Sequence, residues 1–109
     1  MDAYVNIAGG LAIDEPAADL ALCLAIASSF YDRPVPDGIA AAGEVGLAGE
    51  VRTVPQIERR LQECLRLGFS KVVVSADAAR GARLPDGLTL VRARTLSQAL
   101  TAVLGKGTP

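Results

Sequence analysis

The stretch DEPAADLALCLAIA, residues 14–27, decides the fold class, because it predicts a long helix that is apolar almost all round. A proline follows two acidic residues, which is typical of a helix start with Asp14 or Glu15 as the N-cap. The helix is predicted to end at about Tyr31, since the turn-forming run DRPVPDG, residues 32–38, follows it. A helix without a polar face must be covered on several sides, either by a sheet with neighbouring helices or by another chain.

Short strand patterns lie on both sides of this helix. The run YVNIA, residues 4–8, ends at two glycines and suits a strand closed by a turn. The runs KVVVS at residues 71–75 and LTLVR at residues 88–92 are typical of buried strands, and residues 43–52 predict a hairpin. Helices that alternate with short strands indicate an α/β (or α+β) domain in which helices cover a mixed sheet.

Two further helices are predicted to begin at matching sequences. TVPQ at residues 53–56 and TLSQ at residues 95–98 each place a threonine three residues before a glutamine, which is the pattern of a capping box. The second helix is predicted over residues 97–104, and the first is predicted to end at Gly68. The inner, apolar side of the first helix is predicted to consist of Ile57, Leu61, Cys64, Leu65 and Leu67.

The amino-acid composition limits the classes of protein to which this chain can belong. Half of the 109 residues are hydrophobic and 21% are charged, so we expect one globular domain over residues 1–104 with a flexible tail at 105–109. The first predicted strand begins almost at the first residue, so we expect earlier strands of the domain to precede this chain. No apolar run could cross a bilayer, and we expect a cytoplasmic protein. The net charge of −1 gives no overall attraction to nucleic acid.

No cofactor site is expected in this chain. There is no histidine, and Cys23 and Cys64 stand apart, so we expect two buried thiols and no zinc. The glycines of residues 43–49 lack the following lysine and hydroxyl residue of a phosphate-binding loop. Turn and bulge roles are therefore favoured for these glycines.

Several motifs together resemble one known family. The segments DAYVNIAGG, EPAADLA, GEVGL, GEVR and IERR are similar to those of the C-terminal Lon-protease-like domains of the bacterial RadA (Sms) DNA repair proteins. The resemblance implies a ribosomal-protein-S5-domain-2-like α/β fold whose first strands are missing here.

The same resemblance implies that the peptidase dyad has been lost. In active Lon peptidases a serine nucleophile opens the corresponding helix and a lysine at the start of a later helix acts as the base. Those positions correspond here to Ala17 and Glu58, although Arg59 and Arg60 lie close enough to leave the register of the lysine position open. Neither alanine nor glutamate can supply the chemistry of the dyad.

The family also implies a role and partners. RadA proteins combine a four-cysteine zinc motif, an ATPase core and the Lon-like domain in hexameric rings that drive branch migration of DNA. ATP, Mg and Zn are therefore expected only in other domains of a parent protein. The implied partners are further copies in the ring, single-stranded or branched DNA, and the RecA recombinase, with no membrane.

Arginines are the candidate DNA contacts. Arg52, Arg59 and Arg60 are predicted to bind phosphates without sequence preference. The alternative is that the last two are surface charges paired with Glu58 and Glu63. Weaker candidates are Arg80, Arg83, Arg92 and Arg94. A second hypothesis for the whole chain is a stand-alone protein- or ligand-binding module on a degenerate Lon-like fold.

Overall fold

The structure is a computed structural model that describes residues 16–81 and 84–105. The strand predicted at 4–8, the cap candidates Asp14 and Glu15, Arg83, and residues 106–109 of the predicted tail lie outside the described residues. In chain order the elements are a 3-10 turn Pro16–Ala18, α1 Asp19–Tyr31, β1 Ile39–Ala42, β2 Glu44–Val45, β3 Val51–Arg52, α2 Ile57–Arg66, β4 Lys71–Ser75, β5 Thr89–Ala93 and α3 Leu96–Leu104.

The strands form one parallel sheet and one antiparallel pair. The parallel sheet has the order β1-β4-β5, with Lys71 of the central strand in register with Ile39 on one side and Thr89 on the other. β2 and β3 form the predicted hairpin. The α/β class is therefore confirmed, and the strand predicted at 88–92 begins and ends one residue later.

Helices cover both faces of the parallel sheet. Because side chains alternate along a strand, Ala41 and Val73 join the core that contains residues of α1 and α3. Ala40, Val72 and Val74 face the other way and pack with residues of α2. The result is a three-layer arrangement with α1 and α3 on one side of the sheet and α2 on the other.

Strand β1 was not predicted from the sequence. Its three alanines have low strand propensity, so residues 39–42 show no local strand pattern. In the structure Ala40, Ala41 and Ala42 are all 0% exposed, because they lie between the two helix layers. Small side chains fit there because both faces of the strand are covered.

Helix α1 is covered on one face by the described residues. It ends at Tyr31 as predicted, and its buried positions are Leu20, Ala21, Leu24 and Ala27. On its outer face Ile26 is 61% exposed and Phe30 is 80% exposed. The apolar sequence predicted that α1 is covered on several sides, but the described residues cover only one face of the helix.

The two predicted capping boxes have different outcomes. Thr95 is confirmed as the N-cap of α3, since its Oγ1 accepts from the backbone N of Gln98 at 3.1 Å. The Gln98 side chain, however, accepts from Arg94 N, one residue before the cap. Thr53 is not a cap, because α2 begins only at Ile57.

Pro55 explains why the first box fails. A capping threonine at position 53 would require Val54 to be helical, and a residue before proline is disfavoured in that conformation. The helix instead starts after Gln56, which has a φ of 57°. At the other end Leu67, predicted to face inward, is 46% exposed at the C-cap, and Gly68 ends the helix as expected with a φ of 99°.

Candidate functional site

Ala17 lies in a closed, apolar environment. It belongs to the 3-10 turn before α1, is 3% exposed, and packs with Val54 and Ile57. Its carbonyl accepts from the backbone N of Gly43 at 3.1 Å, which ties the turn to the end of β1. The residue predicted to correspond to the Lon nucleophile therefore carries a methyl group in contact with other apolar side chains.

Glu58 lies beside this environment but points to solvent. It occupies the first turn of α2, directly after the Ile57 that packs against Ala17, and it is exposed. The fold thus brings together the two chain segments that were predicted to carry the dyad positions, through the contact between Ala17 and Ile57. An exposed carboxylate there is a poor substitute for a desolvated lysine base.

Lys71 and the buried Ser75 do not form an alternative pair of base and nucleophile. Lys71, the lysine in the described ranges, is exposed at the first residue of β4, and the buried Ser75 is at the last. The two ends of this strand are about 13 Å apart. Ser75 Oγ accepts from the backbone N of Asp77 at 3.2 Å.

The two cysteines lie in protected environments and do not form a disulfide with each other. Cys64 is fully buried between α2 and the sheet, and Cys23 is partly buried on α1. Burial raises the pKa of the Cys23 thiol, and the nearby charge of Asp19 raises it further. A raised pKa lowers the thiolate fraction, so this thiol is a poor nucleophile.

Arg52, a predicted DNA contact, is already engaged by two carboxylates. Its Nη2 lies 2.6 Å from Glu50 Oε2, and its Nη1 lies 3.4 Å from Glu44 Oε1. The hydrogen bond from Arg52 lowers the pKa of Glu50, and the same pairing raises the pKa of Arg52. The charge that this arginine offers to a phosphate is thus partly compensated.

Arg59 and Arg60 occupy the first turns of α2. Arg59 is exposed, and Arg60 Nε donates to the carbonyl of Pro55 at 3.0 Å. Glu63, one of the two carboxylates suggested as their partners, forms its ion pair with Arg66. Arg66 is the main cause of the lowered pKa of Glu63, and Arg59 adds only a smaller long-range contribution.

A cleft that the sequence analysis missed lies where the hairpin meets the parallel sheet. Its volume is about 420 Å³, and its lining residues are Glu50, Val51, Arg52, Thr53, Ser75, Ala76, Asp77 and Arg94. Ligands of open α/β sheets bind beyond the carboxyl ends of the strands, which is where β4 and β5 end here. The cleft brings together Arg52 and Arg94, whereas Arg59 and Arg60 do not line it. The cleft could not be predicted because the sequence does not reveal which strands are neighbours in the sheet.

Two kinds of site are absent from the part of the chain that the structure describes. Residues 16–81 and 84–105 contain no group of three or more histidine, cysteine or acidic side chains that could hold a metal ion. Over the same ranges, no helix combines the length and the apolar character that crossing a bilayer requires.

Comparisons with known proteins agree on one family. The sequence model of the Lon protease (S16) C-terminal proteolytic domain matches residues 2–105. The chain is 46% identical over 102 residues to the DNA repair protein RadA of Streptococcus pyogenes serotype M1, and 43% identical over 104 residues to that of Bacillus subtilis. These alignments cover 94% and 95% of this chain but only 22% and 23% of the relatives. The resemblance inferred from the motifs is thereby confirmed.

Proposed function

Because the chain belongs to the family of Lon protease C-terminal domains, we propose that it is a non-proteolytic domain of a RadA-type DNA repair protein. The observation that carries the proposal is Ala17. It stands at the nucleophile position, buried against Val54 and Ile57, on a chain that otherwise matches the peptidase family over nearly its whole length.

The first part of the proposal is that the domain does not cleave peptides. A serine peptidase needs a hydroxyl and a base within hydrogen-bond reach of one another. Here the nucleophile position is a methyl group, the base position is an exposed carboxylate, and the described lysine lies at the far end of a strand from Ser75. The framework of a peptidase remains, and its new role is structural.

The second part is that the domain helps to build an assembly. The outer face of α1 exposes Ile26 and Phe30 on a helix with few polar residues. Large exposed apolar side chains that share one helix face are typical of contact surfaces. The hexameric ring implied by the family, in the cytoplasm and with ATP, Mg and Zn bound by other domains, is the assembly we propose.

The third part is that the domain contacts DNA, with the RecA recombinase as a further candidate partner of the parent protein. The proposed phosphate ligands are Arg59 and Arg60 on α2, and Arg52 contributes less because two carboxylates already share its charge. A phosphate contact made by side chains on α2 would be independent of sequence and sensitive to salt.

Salt dependence tests the DNA contact directly. In the full-length protein, Arg59→Ala combined with Arg60→Ala should reduce the slope of log K against log salt by about 1.8 on duplex DNA and about 1.4 on single strands. Arg66→Ala on the last turn of the same helix, where Glu63 pairs the arginine, is the matched control and should change the slope by much less. An unchanged slope in the double variant would exclude these arginines as phosphate ligands.

Hydrolysis tests the loss of peptidase chemistry. The protein should leave unfolded casein intact over the time in which an active Lon peptidase degrades it. Degradation that a serine-directed inhibitor abolishes would contradict the proposal. The alternative function, a stand-alone protein- or ligand-binding module, is supported by one feature of β5: its outward backbone groups at Leu90 and Arg92 have no partner among the described residues.

A further inference from the structure

Among the strands that the structure describes, β5 lies at one edge of the parallel sheet, and the hydrogen bonds show which of its residues face outward. In a parallel ladder, alternate residues direct both backbone groups to the same neighbour. Thr89 N donates to Ser70 O at 2.9 Å, and Ala93 O accepts from Ala76 N at 2.9 Å. The odd-numbered residues of β5 therefore pair with β4, and the even-numbered residues direct their backbone groups away from it.

The backbone groups on the outer side of β5 have hydrogen-bond partners only at its C-terminal end. Arg94, just after β5, accepts from Val51 N at 2.9 Å and donates its backbone N–H to Gln98 Oε1 at 2.8 Å. Within residues 16–81 and 84–105, the outward N–H and C=O groups of Leu90 and Arg92 have no backbone or side-chain partner. Two donors and two acceptors are thus presented in a row along an open edge.

The side chains beside this edge carry positive charge. Leu90, Arg92 and Arg94 share one face of the sheet because they are two residues apart. Arg92 Nη1 donates to the carbonyls of Ala76 and Ala78, at 3.3 and 2.5 Å, which fixes the guanidinium without neutralising it. No carboxylate of the described residues forms an ion pair with either arginine.

The pattern of backbone groups discriminates between two kinds of anionic partner. The phosphodiester backbone of a nucleic acid offers acceptors, which suit the arginines and the two free N–H groups but leave both carbonyls unpaired. An extended peptide offers donors and acceptors in the alternation that a strand edge requires, and an acidic side chain of the peptide can lie opposite Arg92.

We propose that the free edge of β5 binds an extended acidic peptide as a fourth strand of the sheet. The backbone of the peptide pairs with Leu90 and Arg92. One carboxylate of the peptide lies opposite Arg92, and an apolar side chain two residues away on the same face lies opposite Leu90. The positive charge beside the edge favours an acidic partner. The alternating backbone donors and acceptors of the edge favour a peptide.

This surface is distinct from the vacated peptidase positions. Ala17 belongs to the 3-10 turn that is bonded to the end of β1, and among the described strands β1 lies on the opposite side of β4 from β5. The two strands are separated by the full width of β4. A peptide on β5 therefore lies away from the position where a Lon peptidase would cleave its substrate.

One pair of variants isolates the backbone contribution. Arg92→Ala removes the charge and keeps the outward N–H, whereas Arg92→Pro removes both, and neither change touches a hydrogen bond between β4 and β5. Proline is tolerated on edge strands when its position faces away from the sheet. The probe is a fluorescent peptide of about ten residues in which glutamate alternates with valine, titrated into the full-length protein.

The expected result is that Arg92→Pro weakens peptide binding relative to Arg92→Ala by a further factor of about three to ten. On the unmodified protein, a peptide that is N-methylated at alternate residues should lose binding, and one with lysine in place of glutamate should not bind. Amide exchange at Leu90 and Arg92 should slow by about tenfold or more when the acidic peptide is saturating.

Three outcomes would overturn the proposal. The first is equal binding of the methylated and unmethylated acidic peptides, which would show that no ladder forms. The second is unchanged amide exchange at Leu90 and Arg92. The third is protection of these two amides by single-stranded DNA and not by the acidic peptide, which would assign the edge to nucleic acid.

Discussion

Replacing Ala17 by serine would put a hydroxyl at the proposed nucleophile position. The structure predicts that this change lowers the stability of the fold. Position 17 is 3% exposed and packed against Val54 and Ile57. A hydroxyl placed there without a hydrogen-bond partner should cost about 1–3 kcal/mol of unfolding free energy. For a domain of this size each kcal/mol lowers the melting temperature by about 4–8 °C.

Urea unfolding followed by circular dichroism measures this cost, with Ala102→Ser on the exposed side of α3 as the control. The control should lose only about 0.5 kcal/mol, from helix propensity. Adding Glu58→Lys should not create peptidase activity, because an exposed lysine stays protonated and cannot act as the base. Two results would contradict the conclusion that apolar side chains enclose position 17. One is an Ala17→Ser variant as stable as the unmodified chain, and the other is hydrolysis of casein by the double variant.

Three further predictions concern other parts of the structure. Thr95→Ala should cost about 1 kcal/mol, because Thr95 caps α3, whereas Thr53→Ala should cost much less; equal losses in thermal unfolding would contradict the assigned helix starts. Gly43→Ala should destabilise by about 1–3 kcal/mol, since the added Cβ would lie 3.2 Å from Leu20 Cδ2 and 3.3 Å from Val51 Cγ1; a double-mutant cycle with Leu20→Ala should show relief of this clash. The carboxyl of Glu50 should titrate below its ordinary value of 4.5, so that its contribution to stability is present above pH 4.5 and is lost as the pH falls through the folded pKa; carbon NMR should show the midpoint move back towards 4.5 in Arg52→Ala.

The sequence predicted those elements whose local signals agree with their tertiary environment. The β-branched run of β4, the glycine-flanked hairpin and the cap at Thr95 all formed as expected. Strand β1 was missed because its alanines are selected by burial between two helix layers, which no local pattern reveals. The cap at Thr53 was wrong because Pro55 overrides a motif that is otherwise identical in spacing to the one at Thr95.

The candidate site was harder to predict because it depends on which strands are neighbours. A family resemblance located Ala17 and Glu58, and the structure brings their chain segments together through Ile57. The cleft beside Arg94 and the open edge of β5 follow from the order β1-β4-β5, which the sequence does not encode locally. Arg52 was favoured on charge alone, and the hairpin geometry that pairs it with Glu50 and Glu44 could not be read from composition.

The two proposed binding surfaces lie on different parts of the sheet and should respond differently to salt. Arg59 and Arg60 are on α2, which packs against one face, whereas the peptide site is an edge formed by backbone groups of Leu90 and Arg92. Phosphate binding by arginines weakens steeply as salt rises, because it depends on counterion release. Ladder hydrogen bonds depend on salt far less, so only the carboxylate contacts of an acidic peptide should weaken. Raising the salt should therefore release DNA from Arg59 and Arg60 much more strongly than it releases the peptide from β5, and neither ligand should displace the other.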